Sequence, residues 1–542
     1  MKAAVTGVLW VFLAVPLCGA PEPQGAPEEG CTLAGVVVKS TTGAPLKRAV
    51  VYLQRIEAAA NNEQHSLRTD AGGRFSFSGL RPGSYSLWVN RDGYLNIAYG
   101  QETPDSPPKP VSLKPGERKT DLVFRLIPLG DIVGHVYDED GEAVSGVSIQ
   151  ALRRSYLNGR RQFVTTASTS SDDLGAYRLA RLTPGEYFVS ATYNDPAPTD
   201  QGTPVSYVPV YYAGTTDPSG AQSIRIGTEQ ELPDVDFTLV PVRAVSVRGK
   251  ATNTAGWTLP GLNVGLLRRD FGMFSYQGNA GVDAQGNFEL RGVPPGSYVL
   301  NVQYYDRGTQ YSGRQTVQVG GADVDGVELL LGPGSEVKGF VRIEGKSDFS
   351  ATGLQVQLNP REQIQMGAQP ATVQADGSFA LGHVADGPYL VNLCCPPPNY
   401  YLKAAHWGSE DALTDGLTLN QAQSPSSLEL VLSPAGAQVE GVVLNDEKPA
   451  DSAVVVLVPD ANHRGQTGQY PVTGINPEGR FTLTSVPPGE YTLFAWDKAD
   501  NGAYMDPEFL HPYERSGKSL HVEEGSKLSV QLDLIHSRDS DQ

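Results

Sequence analysis

The sequence predicts an all-β protein of five tandem seven-stranded Greek-key β-sandwich domains, and three observations predict it. Turn-forming residues are abundant, with 60 glycines and 40 prolines among 542 residues. Glycine supplies positive φ and proline presets φ near −65°, so this share, above the usual ~12 % but short of the ~25–30 % of low-complexity chains, marks many tight turns. Apolar and polar residues alternate at the two-residue period of half-buried strands, and helical periodicity is absent. One phrase recurs five times at a domain-sized spacing, which raises the three or four domains expected from length alone to five.

In chain order, residues 1–20 read as an export leader. Lys2 gives the charged start, Ala3 to Leu17 is an apolar run, and Gly19-Ala20 offers small residues for cleavage. Pro21 opposes cleavage directly after Ala20, and Cys18 suggests lipid anchoring as an alternative to soluble export, although Leu17 is a poor residue before a lipid-bearing cysteine. A retained anchor is the third reading. No later stretch reaches the ~18 apolar residues of a membrane helix. Residues 21–31 form a linker.

The recurring phrase is an acid or amide, a turn, glycine, an aromatic, an alternating strand, then Pro-Gly and tyrosine. It reads DAGGRFSFSGLRPGSYSLWV from Asp70, DDLGAYRLARLTPGEYFVSA from Asp172, DAQGNFELRGVPPGSYVLNV from Asp283, QADGSFALGHVADGPYLVNL from Gln374 and NPEGRFTLTSVPPGEYTLFA from Asn476. The tyrosines Tyr85, Tyr187, Tyr298, Tyr389 and Tyr491 lie 102, 111, 91 and 102 residues apart. Upstream of each is a Gly-x-Val-like strand opening, at Gly35, Gly134, Gly249, Gly339 and Gly441; downstream, each copy closes in an alternating run such as DLVFRL from Asp121. The predicted sandwiches are 32–127, 131–241, 245–332, 336–433 and 437–536, with a tail at 537–542. Short connectors such as Pro241 to Ala244 join them.

Within the phrase, the Asp or Asn accepts a backbone N–H of its own turn, the glycine three residues on takes the left-handed conformation, and the aromatic starts a strand. Pro-Gly makes a second turn, after which Tyr85, Leu87 and Val89 share one face, and Ser86 and Trp88 the other. Two sheets packed face to face follow. Copy four departs most: Gln374 replaces the acid and Asp386-Gly387-Pro388 replaces Pro-Gly-x.

The G-x-V, D-x-x-G-x-[FY] and PG-x-Y positions resemble the carboxypeptidase regulatory-like domain family over roughly Thr32 to Leu534. The resemblance implies small prealbumin-like sandwiches, grouped with starch-binding-like folds and found in the non-catalytic tail of zinc carboxypeptidases, in exported bacterial envelope proteins and ahead of outer-membrane receptor barrels. Its motifs are structural, so fold analogy alone suggests carbohydrate binding.

Charge and chemistry narrow the function. With 42 Lys and Arg against 60 Asp and Glu, the net charge of −18 includes no basic run to displace counterions from phosphates, so nucleic acid is excluded as a partner, and anionic membranes are disfavoured. Cys31, Cys394 and Cys395 remain after the leader, an odd number with no zinc spacing. His511-Pro-Tyr-Glu514 and His521-Val-Glu-Glu524 spell the H-x-x-E of a zinc carboxypeptidase, but five sandwiches leave no length for its catalytic domain. The Asp138 to Glu142 run lacks the regular acids of a calcium loop and reads as a polar hairpin turn. No catalytic residue, metal or cofactor is assigned.

The remaining signal is aromatic. Each copy carries an aromatic-rich connector after its Pro-Gly-x-Tyr strand, and Tyr211, Tyr212, Tyr304, Tyr305, Tyr400, Tyr401 and Trp407 are the candidate ligand-binding residues, since exposed rings stack on sugars. Recurrence at one position in every copy equally fits packing over a sandwich edge. The sequence thus predicts a non-enzymatic, secreted or periplasmic, monomeric module of the bacterial cell envelope. Its expected partner is a polysaccharide or an envelope protein, and the alternatives are a carbohydrate binder using the connectors or an accessory to a peptidase or outer-membrane transport system.

Overall fold

A computed structural model describes residues 30–56, 64–101, 108–157, 159–194, 205–253, 261–270, 273–306, 309–345, 349–361, 368–420, 426–461, 463–464, 470–476 and 478–537. The leader at 1–20 with Cys18, the linker up to residue 29 and the tail beyond residue 537 lie outside the described residues. Regular structure among the described residues is almost all strand, and ten of the eleven sheets form five successive pairs, the eleventh being two-stranded. By contact density one compact unit holds the described residues up to Leu126 apart from Asp92–Leu95 and Gln101, and a second holds the rest.

Copy three shows the pair in its simplest form. The opening strand Val245–Asn253 lies between Asn287–Val293, antiparallel to it, and the closing strand Val324–Leu331, parallel to it. The facing sheet orders Met273–Gly281, Asn263–Asp270, Gly296–Asp306 and Thr309–Val319. Val247, Leu290 and Leu329 from the first sheet meet Val264, Tyr298 and Val317 from the second in one core. Copies two, four and five build their cores in the same way.

The sequence phrase accounts for these elements residue by residue. The Asp70 carboxylate accepts from Gly72 N at 2.9 Å and Arg74 N at 2.8 Å, and Asp172, Asp283 and Asn476 repeat both bonds. Gly73, at φ 72°, supplies the left-handed residue of the turn. The buried Tyr85 hydroxyl donates to the Arg81 carbonyl at 2.8 Å, and Tyr187, Tyr298, Tyr389 and Tyr491 donate to the carbonyls four residues before them. Such a tyrosine corner fastens a strand to its preceding turn. Copy four absorbs its departures: Asp376 accepts from Ser378 N at 2.9 Å in place of an acid at 374, and Tyr389 keeps its corner bond to Ala385.

The opening-strand glycine has a reason that spacing alone does not reveal. A Cβ on Gly35 would stand 2.2 Å from the Leu122 carbonyl oxygen of the parallel closing strand. The same contact is 2.0 Å for Gly134 with Val235, 2.1 Å for Gly249 with Val327, 2.3 Å for Gly339 with Leu428 and 1.9 Å for Gly441 with Val530. Only glycine permits that approach.

Two features differ from the sequence reading. Pro241 to Ala244, read as a connector, falls largely within a strand, Val240–Arg243, which pairs antiparallel with Val205–Val208. The aromatic-rich connector of copy five, in a chain read as without helical periodicity, contains an α-helix at Pro507–Leu510 flanked by 3-10 turns at Ala503–Met505 and His511–Tyr513. Asp506 caps this helix by accepting from Glu508 N at 2.9 Å. The segment packs on copy two: Arg161 reaches Asp506 at 2.9 Å and Glu508 at 3.0 Å, and Phe509 meets Tyr156 edge-on at 6.3 Å. Among the described residues no helix is long and apolar enough to cross a membrane.

Candidate functional site

The connector aromatics are mostly packing residues. Tyr211 forms a short strand with Val210 and is 6 % exposed beside Leu152 and Phe188. Tyr401 begins the strand Tyr401–Trp407, which adds to the closing strand of copy four, and is also 6 % exposed. Neither offers an open ring face to a ligand: Tyr211 is buried over the outward Leu152 and Phe188, and Tyr401 is buried where its strand joins the closing strand. Tyr212, Tyr304 and Trp407 are half-buried against the cores of copies two, three and four. Tyr400 packs against Phe349 at 4.9 Å. Tyr305 is the exception, at 60 % exposed. The structure therefore gathers none of these rings into a shared platform.

The chemical candidates fare likewise. His511 is exposed, at the start of a 3-10 turn. His521 meets Glu490 on the neighbouring strand at 2.5 Å, while Glu524 faces Ser433 at 3.2 Å and Lys403 at 3.9 Å, so the second H-x-x-E does not converge. A cleft of about 240 Å³ between copies four and five is lined by Lys403, His406, Asp411, His463 and Glu490. There His463 is held by Asp460 at 2.9 Å and Lys403 by Glu344 at 2.6 Å. No three His, Cys, Asp or Glu side chains form a metal-binding group among the described residues. Asp138 accepts from Asp140 N at 3.0 Å and Glu142 N at 2.8 Å, the hairpin turn expected of that acidic run. Cys31, Cys394 and Cys395 are free thiols, Cys31 buried with its Sγ donating to the Lys114 carbonyl at 3.0 Å.

What sequence reasoning missed lies on the outward faces of the hairpin-bearing sheets. In copy five, Phe494 and Trp496 stack at 4.8 Å with 13° between ring planes, and Val456, Tyr504, Leu510 and Tyr513 bury them in a second apolar cluster. In copy two the outward Leu152 and Phe188 are covered by Tyr211, with the Arg154 guanidinium 4.8 Å over the Phe188 ring. In copy one, Tyr52 and Trp88 are direct cross-strand neighbours, stacked at 5.4 Å and 9°, and are half-buried. The signal was available in the alternation, which puts Trp88 opposite Leu87; the partner on another strand was not.

This geometry defines a tandem array of prealbumin-like β-sandwiches whose repeated polar side chains serve their own turns. Residues 32–126 match the carboxypeptidase regulatory-like domain family. Colossin-A of Dictyostelium discoideum is 24 % identical over 156 residues, 28 % of this chain but 1 % of that far longer protein. Among solved structures, a streptococcal ancillary pilin is 10 % identical over 56 % of this chain and 99 % of its own, with a TM-score of 0.19. GBS52, the minor pilin of Streptococcus agalactiae, is 13 % identical over 40 % of this chain and 97 % of its own, and the shaft pilin SpaA of Lactobacillus rhamnosus GG is 10 % identical over 40 % and 98 %; both have TM-scores of 0.22. Superpositions this poor transfer nothing from pilins to this chain.

Proposed function

We propose that this protein is a non-enzymatic structural module of the bacterial cell envelope, exported by the leader at 1–20 and divided into five domains at 32–127, 131–241, 245–332, 336–433 and 437–536. The observation that carries this reading is the use made of the recurrent polar residues. In all five copies the tyrosine hydroxyl donates to a backbone carbonyl, and a carboxylate or amide of the turn accepts backbone N–H groups. Side chains engaged in this way hold the fold and are not available as nucleophiles or bases. The match of residues 32–126 to a regulatory-like domain supports the same role.

Expression of the full chain with its own leader in a bacterial host, followed by fractionation and mass measurement, tests the reading. Recovery outside the cytoplasm, shortened near residue 20 and without peptidase or glycosidase turnover, is expected. Intact chain confined to the cytoplasm, or turnover that survives purification to homogeneity, overturns it.

A further inference from the structure

We infer that the outward face of the five-stranded sheet of copy one is a binding site for a neutral oligosaccharide, centred on Tyr52 and Trp88. This goes beyond the structural role above and stands without it.

The two rings sit on adjacent antiparallel strands, Val50–Arg55 and Gly83–Asn90, in direct register. Both are half-buried, with part of each ring at the surface, and neither the Tyr52 hydroxyl nor the Trp88 indole N–H has a hydrogen-bond partner among the described residues, so apolar surface and free polar tips occur together. Aromatic rings of this amphipathic kind are suited to ligands with an apolar face and a hydroxyl rim. The register supplies the rim. Tyr52 pairs with Ser66, Gln54 pairs with Gln64 and Ser86, and Val50 pairs with Asn90 and Arg68, which puts those side chains on the same face as the two rings.

Amides and hydroxyls dominate this face, and none of these residues is a carboxylate, although the chain as a whole carries −18. A cationic partner would find no counter-charge here, whereas sugar hydroxyls would find donors and acceptors on several sides. The other copies provide the contrast. Where copies two and five place aromatics on the same face, their own connectors bury them. Copy one leaves its stacked pair partly open, among amides and hydroxyls with Arg68 as the one charged group of the set, which is the composition of a sugar-stacking surface rather than of a core.

The test titrates the full mature chain with maltohexaose, cellohexaose, laminarihexaose and xylohexaose by calorimetry, and repeats any binding with Trp88→Ala, Tyr52→Ala and, as a control, Tyr305→Ala. At least one oligosaccharide is expected to bind with a dissociation constant below about 1 mM, weakened roughly tenfold by each of the first two substitutions, the factor that a stacking contact of that class is worth. The control is expected to bind as the parent does. Thermal melts of the variants confirm that they are folded. No binding of any of the four sugars overturns the proposal, as does binding undiminished in Trp88→Ala and Tyr52→Ala or lost only in Tyr305→Ala. A concentration-dependent dimer that Trp88→Ala dissociates also overturns it, by assigning the face to a second copy of the chain.

Discussion

Copies one and five present stacked rings on the same face of the same sheet, yet one pair is surface and the other is core. Tyr52 and Trp88 are only half-buried, whereas Trp496 is fully buried under Tyr504, Leu510 and Tyr513. Trp88 and Phe494 each stand three residues after their corner tyrosine, on the same outward face; the stacking partner is Tyr52 on the neighbouring strand in copy one and Trp496 on the same strand in copy five, so position on the sheet does not by itself decide burial. The connector does: in copy five it folds into helical turns that lie over the rings, whereas the described part of the copy-one connector adds the two-residue strand Ile97–Ala98 beside Trp88. A sandwich fixes which residues point outward, and the chain between its strands decides whether outward means wet.

The largest effect expected from this contrast is Trp496→Ala, which opens a cavity in the second cluster of copy five and should cost about 3–5 kcal/mol. Trp88→Ala, on the open face, should cost under ~1 kcal/mol. Calorimetric melts of the two variants compare them, and equal losses would show that the copy-one face is also covered.

Next is Gly441→Ala, which drives a methyl group into the Val530 carbonyl and should cost about 1–3 kcal/mol; Gly35→Ala should match it, because the clash lies on the sheet that copies one and five share in form. A loss confined to one copy, read from the same melts, would separate their frameworks as well as their faces.

The cover of copy five should also be base-labile. Burial pushes the Tyr470 hydroxyl up to about 12 and raises that of Tyr504. The folded form therefore favours the protonated phenols: their contribution is complete below the ordinary value near 10 and is lost as pH rises from there through about 12. Near-ultraviolet circular dichroism should lose the Trp496 environment across that window. A signal steady to pH 12 would mean the cover does not depend on these hydroxyls.

The smallest effect is expected from Arg161→Glu, which sets like charges against Asp506 and Glu508 where the cover meets copy two. Arg161 is half-exposed, so solvent screens the pair, and the cost should be about 1 kcal/mol. Hydrogen exchange should quicken in residues 503–513 and leave Gly83–Asn90 unchanged. Unchanged exchange in the cover would show that it rests on copy five alone.

The fold was legible because its determinants are local. The Asp70 turn, Gly73 at positive φ and the Tyr85 corner each involve residues within four positions of one another, so a short phrase encodes them and repeats intact. Gly35 was legible as a recurring position but not as a contact, because its partner, Leu122, is on the closing strand. The site was less legible for the same reason. Tyr52 and Trp88 lie 36 residues apart and meet only through strand register, whereas the tyrosines clustered in the connectors are adjacent in sequence and separate inward and outward once strands form. Tyr305 and Tyr401, both candidates by composition, thus end at opposite extremes of exposure.

The parallel pairing of opening and closing strands has a mechanical consequence. In copy one Thr32 pairs with Arg118 and Lys39 with Leu126, so the chain enters the pair at one end and leaves it at the other. Tension applied through the neighbouring segments pulls the two strands past each other along their length. The bonds between them then bear the load together in shear instead of opening singly like a zipper, and the glycine that lets the strands approach so closely sits midway along that seam.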